Sequence, residues 1–262
     1  MNLSITIPVY NEEARLEESV RRVASLFARR FPGVGELVVA DNASTDHTPE
    51  IARALARELN GVRVVTLARK GRGGALRHSW LASEAEVLAY MDVDLSTDLA
   101  HVPELLGAVA SGKYDLATGS RLLPPRDIER GLGREVLSRG YIHLVRRAFG
   151  TRFSDAQCGF KAISRRAARA LLPLVADNHW FFDTELLVLA EAAGCRIHDF
   201  PVRWRDHPQG STVRVAATVW HMMRGIVRLK RRMRDGLAEE ARRRWQTAGA
   251  EEVQATALAQ KT

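Results

Sequence analysis

The sequence predicts an α/β fold: a mainly parallel sheet with helices on both faces, followed by a basic amphipathic helix. Three observations carry that expectation. Over residues 3–91 short apolar runs alternate with segments of helical periodicity in strict β-α order. The runs are nearly unbroken in Val, Ile, Leu and Ala, as in strands buried on both faces. The polar motifs fall just after those runs, where ligands bind in such sheets.

Residues 3–9 form the first predicted strand. Glu12 to Arg30 follows as a helix, with Leu16, Val20, Val23 and Phe27 on one face, and Pro32-Gly33 closes it. Glu36 to Ala40 is the second strand. Thr45 to Leu59 reads as a helix with Ser44 or Thr45 as N-cap and Asp46 in its first turn. Val62 to Leu67, Arg72 to Ala85 and Val87 to Met91 continue as strand, helix and strand. The second half is less regular: a strand at Asp115–Thr118, a loop over 122–133, and helices at Arg134–Phe149, Arg165–Leu174 and Asp183–Ala193. A strand over Arg196–Val202 and a polar loop over 205–212 precede the last strong helix, Val213–Arg234. Its apolar stripe runs through Val215, Val219, Trp220, Met222, Met223, Ile226, Leu229 and Met233. Three units are therefore expected: a domain over 1–212, the amphipathic helix over 213–235 and a frayed helix or flexible tail over 236–262, which lacks a clear apolar pattern.

A chain of 262 residues with 46% hydrophobic content can fill one large core. No apolar run approaches the roughly 20 residues that span a bilayer. The predicted location is cytoplasmic, and the two cysteines, Cys158 and Cys195, have no metal-ligand spacing. The net charge of +8 points to an anionic partner. Six basic residues and no acidic one lie between Arg224 and Arg234. Nucleic acid is not the expected partner, because the chain carries no recognition motif or aromatic platform pattern.

Four segments carry chemistry. Asp92-Val93-Asp94 ends the fourth strand, and a turn there can bring both carboxylates to one Mg²⁺ or Mn²⁺, the hard cation that bridges nucleotide phosphates. Asp41-Asn42 at the mouth of the second strand suits a ribose hydroxyl or a base edge, or caps the next helix. Lys70-Gly71-Arg72-Gly73-Gly74 joins flexible backbone and cations at a helix start, an anion cradle that is neither a Walker loop nor a dinucleotide fingerprint. Arg134 and Ser138 lie one helical turn apart and, with Arg121, form a candidate grip for a second phosphate. Asp155 is a candidate base or orienting group. Asp183, beside Trp180-Phe181-Phe182, either caps a helix or has its pKa raised.

Taken together, Pro8-Val9-Tyr10-Asn11-Glu12, Asp92-Val93-Asp94, Gly119-Ser120-Arg121, Asp155-Ala156-Gln157-Cys158-Gly159-Phe160-Lys161, Phe182-Asp183-Thr184-Glu185 and Pro201-Val202-Arg203-Trp204 resemble family 2 glycosyltransferases of the GT-A fold. Within that family the chain is most similar to polyprenyl- and dolichyl-phosphate sugar transferases, nearest the glucosyltransferase branch. The resemblance implies an inverting transfer of a hexose from a nucleoside diphosphate sugar, UDP-hexose favoured, to a polyprenyl phosphate. It places Pro8, Tyr10 and Glu12 at the nucleoside, with Asp41, Asn42, Lys70, Arg72, Asp92 and Val93 completing the nucleotide-sugar site. Asp92, Asp94 and Ser96 would hold Mg²⁺ or Mn²⁺, and Arg121, Arg134 and Ser138 the acceptor phosphate. Asp155 and Asp183 are the catalytic candidates. Thr212 stands where Lys is frequent, with Arg214 as a substitute. A lipid acceptor implies peripheral attachment at the inner face of an anionic membrane through the basic helix. The rival expectation is the same fold acting on a soluble hydroxyl acceptor, with Asp155 or Asp183 as its base.

Overall fold

Leu3, Ile5, Ile7 and Val9 are all at most 3% exposed and the residues between them are buried too, so the first strand is covered on both faces and must be central. The protein, a computed structural model, is described over residues 2–124, 128–129, 132–205 and 215–259. The strands are β1 (Leu3–Val9), β2 (Gly35–Asp41), β3 (Val62–Thr66), β4 (Val87–Met91), β5 (Leu116–Ser120), β6 (Ile128–Glu129), β7 (Phe160–Ser164), β8 (Ile197–Pro201) and β9 (Trp204–Arg205). The helices are α1 (Leu16–Arg30), α2 (Thr48–Glu58), α3 (Arg72–Leu81), α4 (Val102–Ala110), α5 (Leu132–Phe149), α6 (Arg165–Leu171), α7 (Phe182–Ala193), α8 (Val215–Arg232) and α9 (Ala238–Ala259).

Seven strands form one sheet in the order β3-β2-β1-β4-β7-β5-β8. Only β7 runs against its neighbours, pairing antiparallel with both β4 and β5. This inversion matters for the site. The carboxyl ends of β1, β2, β4 and β5 share one edge of the sheet, and the chain leading into β7, Asp155 to Gly159, arrives at that same edge. Neither β7 nor α4 is expected from the sequence. The β7 run is short and carries a buried charge, Lys161, which breaks its apolar character.

The helix starts differ by a few residues from expectation. α1 begins at Leu16 rather than Glu12, and α2 at Thr48 rather than Thr45. Ser44 does not cap α2: its hydroxyl accepts the Asn11 N–H at 3.0 Å, while Asp46 Oδ1 accepts the Thr48 N–H at 3.0 Å. Residues 42–47 are thus spent on binding loop β1–α1 to loop β2–α2 instead of on a longer helix.

The larger correction concerns the C-terminal end. Residues 238–259 are a helix packed on α6 and α7, not a flexible tail. Small residues explain why no apolar stripe announced it. Ala241 is fully buried, and Gly249 lets the Arg166 side chain lie so close that a β-carbon would collide with it. The Arg166 guanidinium stacks 3.7 Å from the Trp245 ring centroid. Gly236, at φ +93°, breaks the helical path between α8 and α9.

The stripe read along α8 divides into two faces. Met222, Ile226 and Leu229 are buried against the core. Val219, Trp220, Met223 and Val227 are exposed, Trp220 by 65%. No helix among the described residues is long and apolar enough to cross a membrane.

Candidate active site

Three loops at the sheet edge are held in left-handed backbone by residues other than glycine. Asn11 after β1, Ala43 after β2 and Leu95 after β4 have φ of 55°, 62° and 49°. Such conformations disfavour residues with a β-carbon and persist where surroundings impose them. Here the three loops are those that carry the motifs. Asn11 is fastened by its side chain, whose Oδ1 accepts the Thr45 N–H at 2.8 Å.

At the end of β4, Asp92, Asp94, Ser96, Arg121, Gly159 and Trp204 line one small cavity of about 50 Å³. Gly159 is required there. A β-carbon on it would fall on the Asp92 carboxylate, so this glycine is what gives Asp92 its room. Burial, and then the neighbouring charge of Asp92, push the Asp94 carboxyl above its ordinary value. Glu12 is likewise raised, by burial first and with Asp94, Asp46 and Asp92 as negative neighbours. The Ser96 hydroxyl is buried with no hydrogen-bond partner among the described residues. Two crowded carboxylates and an unpartnered hydroxyl oxygen form a hard-oxygen donor set that suits a divalent cation. Among the described residues no three His, Cys, Asp or Glu are arranged to hold a metal ion by themselves. Mg²⁺ needs no such trio, since it is commonly held by one or two carboxylates together with substrate phosphates.

Val93 is a correction: its side chain is 6% exposed in the hydrophobic core and its carbonyl accepts the Ser19 hydroxyl at 2.5 Å, so it does not face the cavity. Strand β4 ends at Met91, and the turn that follows sends Val93 into the core while Asp92 and Asp94 line the cavity.

The glycine loop lies across the mouth of β2. Asn42 Oδ1 accepts the Gly71 N–H at 2.6 Å, and Asp41 Oδ1 accepts the Ser44 N–H at 3.1 Å. Both residues are buried, so each first serves to shape this edge. Lys70 is exposed, with its ammonium 3.4 Å from the Tyr10 ring centroid. Pro8 is buried within β1, opposite Ala40 of β2. Arg72 turns inward: Nη2 donates to Asp92 Oδ1 at 2.7 Å and Nη1 to Asp183 Oδ2 at 2.8 Å. Its guanidinium also lies 5.2 Å from the Trp180 ring.

Neither candidate base is free to accept a proton. Burial raises the Asp155 carboxyl, but the adjoining Arg121 guanidinium outweighs it and holds the pKa to about 2. That pair is bidentate, Arg121 Nε to Oδ2 at 2.7 Å and Nη2 to Oδ1 at 3.0 Å. Asp183 is buried in the first turn of α7 and accepts the Tyr90 hydroxyl as well as Arg72. Burial pushes it up, yet Lys161 at 3.5 Å and Arg72 hold it below the usual value, the reverse of a raised base. It makes no helix-capping bond.

Arg121 thus has its planar fork fixed by Asp155 while its guanidinium faces the Asp92–Asp94 cavity. Ser138 lies half-buried on α5. Arg134 occupies the first turns of the same helix, and its side chain lies outside the described residues, as do Thr212 and Arg214. Sequence reasoning missed three residues that the fold brings here. Lys161 donates to the Cys158 carbonyl at 2.5 Å and braces Asp183. Trp204 pairs with Thr97 of the loop after β4 and stacks 5.8 Å from Arg121. Asn178 receives the Gly74 N–H on its carbonyl at 3.0 Å. The Asp155–Lys161 and Pro201–Trp204 motifs were signals for the first two; nothing local marked Asn178.

The model of glycosyl transferase family 2 matches residues 4–172. Glycosyltransferase AglD of Haloferax volcanii is 44% identical over 214 residues, which are 81% of this chain and 34% of that protein. The chain therefore spans about a third of that relative's length. Dolichyl-phosphate beta-glucosyltransferase of Saccharomyces cerevisiae is 28% identical, over 86% of this chain and 73% of its own. Among solved structures, glucosyl-3-phosphoglycerate synthase of Mycobacterium tuberculosis with UDP aligns at a TM-score of 0.65 and 24% identity, covering 87% of this chain and 80% of that one. The same synthase with Mn²⁺ and UDP-glucose aligns at 0.58 and 25% identity, covering 79% and 72%. The sheet order and its helices are those of the GT-A fold, and the chain is a glycosyltransferase belonging to family 2.

Proposed function

We propose that this enzyme transfers a hexose, with inversion, from a nucleoside diphosphate sugar to a polyprenyl phosphate. One observation carries the reading: the candidate cation ligands Asp92, Asp94 and Ser96 and the locked cation Arg121 line the same small cavity. A donor diphosphate and an acceptor phosphate both suit such a charge arrangement, which supports their meeting at this cavity.

The Gly71–Gly74 turn and Lys70 receive the nucleoside diphosphate, with Tyr10 beneath the lysine. Asp92, Asp94 and Ser96 hold Mg²⁺ or Mn²⁺, which when bound neutralises charge on the leaving diphosphate. Arg121, Arg134 and Ser138 grip the acceptor phosphate. An oxygen of that phosphate forms the new bond to the anomeric carbon while the bond to the diphosphate breaks, and the freed nucleoside diphosphate takes the electron pair. A phosphate monoester has its second pKa near 6, so at neutral pH it attacks as the dianion and needs no general base. The state of Asp155 and Asp183 agrees with this: both are paired carboxylates held below their ordinary values. Their role is to position Arg121 and Arg72.

The relatives named dolichyl-phosphate beta-glucosyltransferase support a glucose donor and a lipid phosphate acceptor. The outer face of α8 supports attachment at the inner face of an anionic membrane. There Trp220, Met223 and Val227 join Arg224 and Arg231 along a hollow of about 530 Å³. Apolar contact combined with basic residues, each contributing about 1 kcal/mol near an anionic leaflet, suffices for reversible binding.

The test is transfer from a panel of nucleotide sugars to a short polyprenyl phosphate with Mg²⁺ or Mn²⁺, comparing wild type with Asp94→Ala. A glycolipid made by the wild type alone is expected. Nucleotide-sugar turnover without lipid product would favour the soluble hydroxyl acceptor instead.

A further inference from the structure

Two buried carboxylates stand outside the cavity. Asp177, in the segment before α7, is 2% exposed, and Glu185, in the first turn of α7, is fully buried. Buried carboxylates need counter-charges, and both find them on α8. Arg228 Nη2 donates to Asp177 Oδ2 at 2.7 Å, and His221 Nε2 lies 3.0 Å from the same oxygen. Arg232 Nη1 donates to Glu185 Oε1 at 2.5 Å and Nη2 to the Leu174 carbonyl at 2.7 Å. Glu185 Oε2 accepts the Asp177 N–H at 2.8 Å, which makes the five side chains one cluster. Gly225 lets α8 lie against the Phe181 ring, where any β-carbon would collide.

The strap clamped in this way, residues 175–183, is the back wall of the glycine loop. The Asn178 carbonyl accepts the Gly74 N–H at 3.0 Å, and a methyl on Gly71 would stand 2.7 Å from that same oxygen. Phe182 fills the space beside Gly73 so closely that no side chain fits there. Asp183 at the end of the strap holds Arg72 at 2.8 Å. Helix α3 has no side-chain cap at Gly71, so the loop depends on the strap and on Asn42 for its shape.

We propose that Asp177 and Glu185 are positioning residues for the nucleoside diphosphate donor, acting through Asn178 on the Gly71–Gly74 turn, with α8 supplying the cations that hold them. This rests on the reading that the donor diphosphate binds at that turn. Helix α8 then has two tasks on adjoining faces: Arg228 and Arg232 complete the donor site, and Trp220, Met223 and Val227 beside them meet the lipid surface. Deleting α8 would consequently remove both functions together.

The experiment titrates UDP with Mg²⁺ into the full chain by calorimetry, for wild type, Arg228→Gln, Arg228→Lys, Asn178→Ala and the double variant Arg228→Gln/Asn178→Ala. Arg228 is chosen because its side chain is 41% exposed and His221 remains beside Asp177, so the fold survives its loss. The glutamine variant should bind UDP about tenfold more weakly, with the KM for the acceptor unchanged. Lysine should restore binding, because a single nitrogen makes the contact with Asp177. Asn178→Ala keeps the backbone carbonyl and loosens the strap only by removing the Oδ1 that accepts Arg77 Nη2, so the double variant should bind no more weakly than the weaker of the two single variants, since both changes act on one element. Wild-type affinity in Arg228→Gln, or losses that multiply in the double variant, would overturn the proposal. An equal rise in donor and acceptor KM would also overturn it, by marking a general structural defect. A wild type that binds no nucleotide would instead sink the donor reading itself, and the proposal with it.

Discussion

Replacing Asp155 with Asn separates a positioning carboxylate from a catalytic base. The change removes the charge that Arg121 faces at 2.7 Å while keeping the size of the side chain. In the folded protein the Asp155 pKa falls from the ordinary 3.8 to about 2. That difference corresponds to about 2.5 kcal/mol of stability at neutral pH. The partner left behind is an arginine whose side chain is only 13% exposed, and stranding it brings the total to about 3–5 kcal/mol. For a chain of this size the melting midpoint should fall by roughly 6–15 °C. Because the folded pKa is the lower one, the stabilisation is complete above about pH 4 and is lost as pH falls towards 2. The gap between wild type and variant should therefore shrink, with the charge contribution about halved at pH 3. Urea unfolding of both proteins from pH 3 to 7 measures it. In the same preparations UDP binding should persist while transfer is lost, and wild-type kcat should show no acid limb from Asp155 above pH 5. A stability difference that is absent, or the same at pH 3 and pH 7, would refute the ion-pair account. A transfer rate preserved in Asp155→Asn would refute the claim that Arg121 must be held.

Other substitutions probe the remaining parts. Gly159→Ala drives a methyl into the Asp92 carboxylate; overpacking of this kind costs about 1–3 kcal/mol, and Mn²⁺-dependent UDP binding should drop far more than stability does. Arg72→Gln leaves Asp183 buried with one cation fewer, so a stability loss of about 2–4 kcal/mol is expected by denaturant titration, together with weaker UDP binding. Trp220→Ser with Val227→Ser changes only exposed positions on the outer face of α8; sedimentation with anionic vesicles should fall while the melting midpoint stays within about 1–2 °C. Retained vesicle binding would place the lipid contact elsewhere. Cys158 is buried and its thiol is pushed up to about 12, by burial first, so an alkylating reagent should leave it unmodified until the protein unfolds.

The first half of the fold was legible because its signals are local. Buried runs such as Leu3–Val9 and Val87–Met91 and the stripe Leu16-Val20-Val23-Phe27 depend on near neighbours alone, and the structure places them as read. The elements that escaped depend on distant partners. Strand β7 holds a lysine that is tolerable only because Asp183, Tyr90 and the Cys158 carbonyl surround it. Helix α9 docks by alanines, Gly249 and an Arg166–Trp245 stack, none of which produces an apolar period. The site followed the same rule. Asp92, Asp94 and Arg121 were visible as residues bearing chemistry, and the structure brings them to one cavity. That Asp155 and Asp183 would be paired with arginines was not visible, since Arg121 is 34 positions from one and Arg72 is 111 from the other.

The central claim is that the acceptor is a lipid-borne phosphate attacked without a general base. The most direct measurement compares turnover of one UDP-hexose with three acceptors of matched concentration: a short polyprenyl phosphate, the corresponding polyprenol and 3-phosphoglycerate. The account predicts product from the polyprenyl phosphate alone, at a rate abolished by Arg121→Gln. Transfer to the polyprenol or to 3-phosphoglycerate at a comparable rate would contradict it, because a hydroxyl would then be the nucleophile and Asp155 or Asp183 would have to serve as the base.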